Sequence, residues 1–352
     1  MTGRPANFAW PLVIAALLFV VLASLYPFVD WRDPRVAPWA FVEAPWPKYY
    51  TLLDLSLNVV FYLPLGFLLT AALQSRLKPG WAAIASVTLG GLLSLVLEMG
   101  QVYLPSRVAS NLDVGCNLAG MLMGAVGGMI YGRTLVDGAA ARWRHRRILR
   151  GRIGDAGILL LSLWLLGQLQ PGVPLFAVGV VRDGLGLLPG TLPDITALMA
   201  AERLRIACGV VGVSVIAWQS QSAKSIVLLA ALWVGTFALK SLSGTLLAPP
   251  QPLYWVHASA LAGMAWGLGA ALGALLLPAA GQRALGALAL VFGILLSNLI
   301  PDNPYQSQAL RLIQEGHVIN FNGLTRVTMM FWPYCALMFL LTHASRGQMS
   351  RL

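Results

Sequence analysis

Asp54 with Asn58, Glu98 with Gln101, and Asp113 with Asn117 form three polar pairs at the ends of long apolar stretches, and Arg107 lies between the second and third. Carboxylates can move protons, meet amines and hydroxyls, or hold a hard cation such as magnesium. Asn and Gln can read amides and sugars, and Arg can clamp a phosphate or carboxylate at two points. Spacings of four, three and four residues place each pair on one side of its helix, where both side chains address a common point. In hydrocarbon a carboxylate at a helix centre costs roughly 2.5–3.5 kcal/mol on insertion scales, so residues of this kind mark sites.

The elements that carry them are membrane helices. The chain is 58% hydrophobic and 11% charged over 352 residues, too little polar surface for a water-soluble globule of this size. Apolar runs long enough to cross a bilayer recur throughout, and about ten are expected: Trp10–Val29, Leu52–Leu73, Trp81–Val102, Leu112–Tyr131, Ile153–Leu169, Leu204–Trp218, Ile226–Leu242, Val256–Leu277, Ala284–Leu299 and Leu324–His343. The fold class is therefore an all-α polytopic membrane bundle. Arg4 before the first run also fits a secretory leader, but no small-residue cleavage site follows, so an uncleaved first helix is expected. Cys116, Cys208 and Cys335 lie far apart and suggest neither a disulfide framework nor a metal site.

Basic residues set the orientation. With the N-terminus cytoplasmic, the inside segments hold more than half of the 24 Lys and Arg, including Arg76, Lys78, Arg133, Arg283 and the cluster Arg142 to Arg152, against the acids Asp137 and Asp155. Both termini are then cytoplasmic. The run Arg142-Trp-Arg-His-Arg-Arg-Ile-Leu-Arg150 could neutralise phosphates, but between two spans it reads as a topology-fixing loop that touches anionic lipid head groups. No nucleic-acid partner is expected; membrane lipids are.

In this orientation the three polar pairs lie at one depth, near the outer face. Leu-Asp-x-x-x-Asn occurs at Leu53 to Asn58 and again at Leu112 to Asn117, each at the start of an inward-running helix. An acidic residue there also complements the helix dipole or caps it, so either copy taken alone has a purely structural account. Glu98 is different, because a helix C-terminus is the wrong end for a carboxylate. It needs a partner, and Arg107 in the following short loop is the natural cation for it. A Glu98–Arg107 clasp fastening two helices is the structural alternative to a binding site.

The stretch from about Tyr50 to Arg133 resembles the VanZ-like family, named from a protein associated with resistance to the glycopeptide teicoplanin. The resemblance rests on Asp54 and Asn58 before Phe61-Tyr-Leu-Pro-Leu-Gly66, Glu98 and Gln101 before Leu104-Pro-Ser-Arg107, and Asp113 and Asn117 before Leu118-Ala-Gly120. Many members carry Lys-x-x-His after the first Asp; this chain reads Asp54-Leu-Ser-Leu-Asn58 and offers no histidine there. The resemblance implies an integral protein of the bacterial inner membrane and assigns no reaction to any residue.

Three regions follow: an N-terminal bundle over 1–133, a basic cytoplasmic loop over 134–152, and a C-terminal bundle over 153–352 with outer loops at 170–203 and 300–323. In the last loop His317, Asn320, Asn322 and Arg326 are secondary candidates, His317 as a general base near neutral pH or simply a solvated side chain. Asn298 and Asp302 form a weak further copy of the four-residue spacing. Gly120, Gly124 and Gly128 share one helical stripe, as do Gly263 and Gly267, and such small-residue faces let helices approach closely.

Three functions remain open: binding or transport of an envelope component such as a lipid-linked glycan or peptidoglycan precursor, an enzyme using Glu98 and Asp113 as acid and base or a magnesium ion, and a scaffold whose polar residues only fasten helices. No nucleotide-binding loop, zinc signature or serine elbow occurs, so no cofactor is expected.

Overall fold

The computed structural model describes residues 9–25, 28, 30–48, 50, 52–136, 138–149, 151–168, 179–181, 194–247, 253, 255–301 and 328–342; within them the side-chain surroundings of 53, 54, 135, 136, 139–141, 246 and 247 are not described. The described residues form helices and no strand, with one isolated bridge between Ile148 and Gln221. Among the described residues six helices are long and apolar enough to cross a membrane, which makes this a polytopic helical membrane protein. The chain divides into two compact units, residues 1–146 and 147–352.

The first unit contains α1 (Ala9–Leu25), α2 (Ala40–Glu43), α3 (Leu52–Leu73), α4 (Pro79–Gln101), α5 (Asn111–Val136) and most of α6 (Ala139–Arg147). Pro79 begins α4, where the missing N–H is no loss. Pro64 lies inside α3, which nevertheless stays one helix. The region expected as a basic loop over 134–152 is itself helical over α6, where three alanines precede four arginines set around Trp143 and His145, and both Ala and Arg have high helix propensity.

The closest packing in this unit is between α3 and α5. A methyl group on Gly120 or Gly124 would run into the carbonyl oxygens of Val59 and Leu63, and one on Gly128 would lie 2.6 Å from that of Phe67. Gly66 on α3 is equally tight against the Met121 backbone of α5. The stripe read from the sequence thus lets two backbones touch, a geometry that only residues without side chains permit. Nearby, Ser86 of α4 donates to the Gly66 carbonyl at 3.2 Å.

The second unit holds α7 (Arg152–Gly167), α8 (Ile195–Gln219), α9 (Ile226–Leu247), α10 (Ala258–Leu275), α11 (Ala279–Leu299) and α12 (Thr328–Thr342). Tryptophans knit its core. Trp164 meets Trp233 edge-on at 5.6 Å and lies 6.4 Å from Trp332, whose Nε1 donates to the Leu160 carbonyl at 2.7 Å. Gly263 and Gly267 bring α10 against Arg203, Ile206, Ala207 and Val210 of α8.

The outer loop expected over 170–203 ends sooner than its charges suggest. Helix α8 begins at Ile195 because Asp194 caps it, accepting the backbone N–H groups of Thr196 and Ala197. Glu202, Arg203 and Arg205 broke the apolar pattern there and hid the first turns of the helix. They also keep α8 outside the six spanning candidates.

Candidate functional site

Two of the three polar pairs are bonded directly into a common region, at the end of the first unit where α4 turns into α5. Asn58 of α3 donates through Nδ2 to Asp113 Oδ1 of α5 at 2.8 Å. The two Leu-Asp-x-x-x-Asn copies therefore meet crosswise, the Asn of one on the Asp of the other. Asp54 lies in the first turn of α3, but its side chain is outside the described residues.

Glu98 is 4% exposed at the end of α4. Its Oε2 accepts the backbone N–H of Ser110 at 3.0 Å, and Oε1 accepts Gln101 Nε2 at 3.4 Å. Ser110 in turn caps α5, its Oγ accepting the N–H groups of Leu112 at 3.1 Å and Asp113 at 3.4 Å. The carboxylate that ends one helix is thus seated at the N-terminus of the next, where unpaired N–H groups and the helix dipole favour negative charge. Asp113, expected as a cap candidate, sits within the first turn, and the capping side chain is that of Ser110.

Arg107 lies within electrostatic reach of Glu98, and its Nη2 donates to the Ala23 carbonyl at the end of α1 at 2.9 Å. It therefore ties α1 to the α4–α5 loop. Beside this electrostatic interaction, the Glu98 carboxylate accepts hydrogen bonds from Ser110 and Gln101.

One turn deeper, Asn117 donates to Ser94 Oγ at 3.0 Å, while its own buried Oδ1 has no hydrogen-bond partner among the described residues. Tyr62 is 3% exposed, and its hydroxyl faces Ser24, Ser94 and Glu98. A buried polar atom without a partner is costly, and a water or other hydrogen-bond donor reaching Asn117 Oδ1 would relieve that cost. Tyr62, Ser94 and Ser110 were missed in the sequence. Tyr62 falls four residues after Asn58, the one available hint that it shares that face.

Among the described residues no group of three or more His, Cys, Asp and Glu gathers as a metal would require. His317, Asn320, Asn322 and Arg326 lie outside the described residues, as does Asp302. Asn298 is occupied: it donates to the Gly179 and Ile294 carbonyls and accepts from Val181 N–H at 2.9 Å. It serves to hold backbone.

The second unit has polar residues that sequence reading passed over. Lys240 in α9 is fully buried, and Glu202 of α8 meets His257 Nε2 at 3.5 Å, while His257 Nδ1 caps α10 by accepting Ala260 N–H. A lysine in mid-span was the available signal.

No curated protein and no solved structure matches the chain. Residues 8–132 do match the family model described as VanZ/LLP1, a stretch that starts before α1 and so takes in the helix that Arg107 binds as well as the region expected from about Tyr50. The similarity to that family thus covers most of the first unit.

Proposed function

We propose that the cluster around Glu98 is an extracytoplasmic pocket that binds an envelope component, a lipid-linked glycan or peptidoglycan precursor, in the bacterial inner membrane, in a bundle of about ten spans with both termini cytoplasmic. The observation that carries this is the buried Asn117 Oδ1, without a hydrogen-bond partner among the described residues, close to the Tyr62 hydroxyl, a carboxylate and an arginine.

Orientation is supported by charge and by aromatic belts. Arg76, Lys78, Arg133 and Arg142 accompany exposed Trp81, Tyr131 and Trp143 at one end of the first unit; exposed Trp31, Trp39 and Trp46 mark the segment joined to the other. The 22 residues of α3 give a length of about 33 Å, matching a hydrocarbon core. In the pocket Asn58 and Asn117 suit amides and sugar hydroxyls, and Arg107 suits a phosphate or carboxylate. A link to glycopeptide resistance enters this reading through the similarity to the VanZ/LLP1 family alone.

An enzyme reading, with Glu98 and Asp113 as proton-transfer groups, shares the same residues. The discriminating experiment substitutes Glu98→Gln, Asp113→Asn and Arg107→Ala. The binding role predicts folded, membrane-inserted protein that has lost ligand. A scaffold role predicts lost folding instead, partly restored by exchanging Glu98 and Arg107. Turnover of a lipid-linked sugar by purified wild-type protein would establish the enzyme.

A further inference from the structure

Among the described residues, few groups hold the segment between α1 and α3 to its helices. Of residues 30–48 only Phe41 is buried, and Trp31, Trp39 and Trp46 are exposed. Helix α2, which carries Phe41, lies against α5. A hydrogen bond fastens the segment on each side of Phe41: Arg32 N–H donates to the Tyr103 carbonyl at 3.0 Å, and the Ala44 carbonyl accepts Asn111 Nδ2 at 2.7 Å.

These two bonds bracket the α4–α5 loop. Tyr103 follows the end of α4, and Asn111 is the first residue of α5. Between them lie the buried Leu104 and Ser110, and Arg107, which donates to the Ala23 carbonyl of α1. Ser110, the neighbour of Asn111, is the residue whose N–H holds Glu98 at 3.0 Å. The strap thus grips both ends of the loop that closes over the Glu98 carboxylate.

The backbone at the start of the strap is strained. Phe28, Asp30 and Arg35 occupy the left-handed region at φ of 61°, 60° and 56°, and the side chains of Phe28 and Arg35 disfavour it. A segment with one buried anchor, exposed residues on either side and strained turns opens more readily than the helices beneath it. Resting on the binding role above, we propose that residues 30–48 are a lid on the Glu98 cluster. Opening withdraws Phe41 and releases Tyr103 and Asn111, which frees the loop and lets a polar ligand reach the carboxylate. Closing restores both bonds and excludes water.

The test is hydrogen exchange of full-length protein in detergent, corrected for intrinsic rates, in wild type, Phe41→Ala and Asn111→Ala. The second variant leaves Phe41 in place, so failure of one to fold leaves the other. Exchange at the Ser110 amide and along residues 30–48 is expected to rise at least about tenfold in the folded variants, with the amides of Ser86 to Ser94 in α4 unchanged. Wild-type protection of Ser110 in both variants, or an equal rise through α4, overturns the lid. Association and dissociation rates of a lipid-linked peptidoglycan precursor separate the lid from the binding role. Both rates are expected to rise in the variants. Equal rates in wild type and variants overturn the lid and leave the binding role standing; the expected exchange pattern without any precursor binding supports the lid and removes that ligand.

Discussion

Glu98 Oε2 accepts the backbone N–H of Ser110 at 3.0 Å, so the last turn of α4 is bonded to the N-terminal cap of α5. This contact explains how a carboxylate is tolerated at a helix C-terminus. It uses the positive end of the next helix, reached through a tight loop that Arg107 anchors to α1.

Glu98→Gln keeps an amide oxygen for Ser110 N–H and is expected to fold like wild type. Glu98→Ala leaves that N–H and Gln101 without their acceptor and should destabilise the protein by about 1–3 kcal/mol. Thermal unfolding in detergent distinguishes the two; equal loss of stability would contradict the assigned contact.

Ser110→Ala removes the cap of α5 and should cost about 1 kcal/mol, with Ser110→Thr largely preserving it. Hydrogen exchange at Leu112 and Asp113, whose amides bond Ser110 Oγ, should rise in the alanine variant before exchange rises elsewhere in α5.

Gly124→Ala forces a methyl into the Leu63 carbonyl and should separate α3 from α5 at a cost of about 1–3 kcal/mol. Gly269→Ala meets nothing within 4 Å and, in mid-helix, should be neutral or stabilising by up to about 1 kcal/mol. Paired melting curves check the contrast.

Asp194 accepts from the Thr196 hydroxyl and from the Thr196 and Ala197 N–H groups, which hold its carboxyl below the usual range. A folded-state value below the unfolded one means that the unfolded chain binds the proton more readily. The cap's contribution is therefore present above the unfolded carboxylate range and is lost as pH falls through the folded value. Amide exchange in the first turn of α8 should accelerate on lowering the pH below the ordinary aspartate range, after correction for intrinsic rates, and Asp194→Asn should flatten that dependence.

The sequence revealed the spans through their apolar runs, and α3 falls on Leu52–Leu73 as expected. The glycine stripe on α5 was equally legible, because period and residue size together determine close approach. The start of α8 was not, since charged residues in its first turns mimic a loop and only the Asp194 cap betrays the helix. Within the site, charge and spacing pointed to Glu98, Asp113 and Asn58. They could not show that a backbone N–H of Ser110 would hold Glu98, because every residue carries that donor. Tyr62 was hidden for a related reason: an aromatic in an apolar span looks like core, and only the fold reveals that its hydroxyl faces Ser94 and Glu98.

The central claim is that the buried cluster around Glu98 binds a polar ligand carried in the membrane. Its most direct test is equilibrium binding of a lipid-linked peptidoglycan precursor to purified protein in nanodiscs, wild type against Glu98→Gln, with folding of both verified by thermal unfolding. Saturable binding weakened at least about tenfold in the folded variant is the predicted result. Equal affinity of the two proteins, or no saturable binding to wild type, would contradict it.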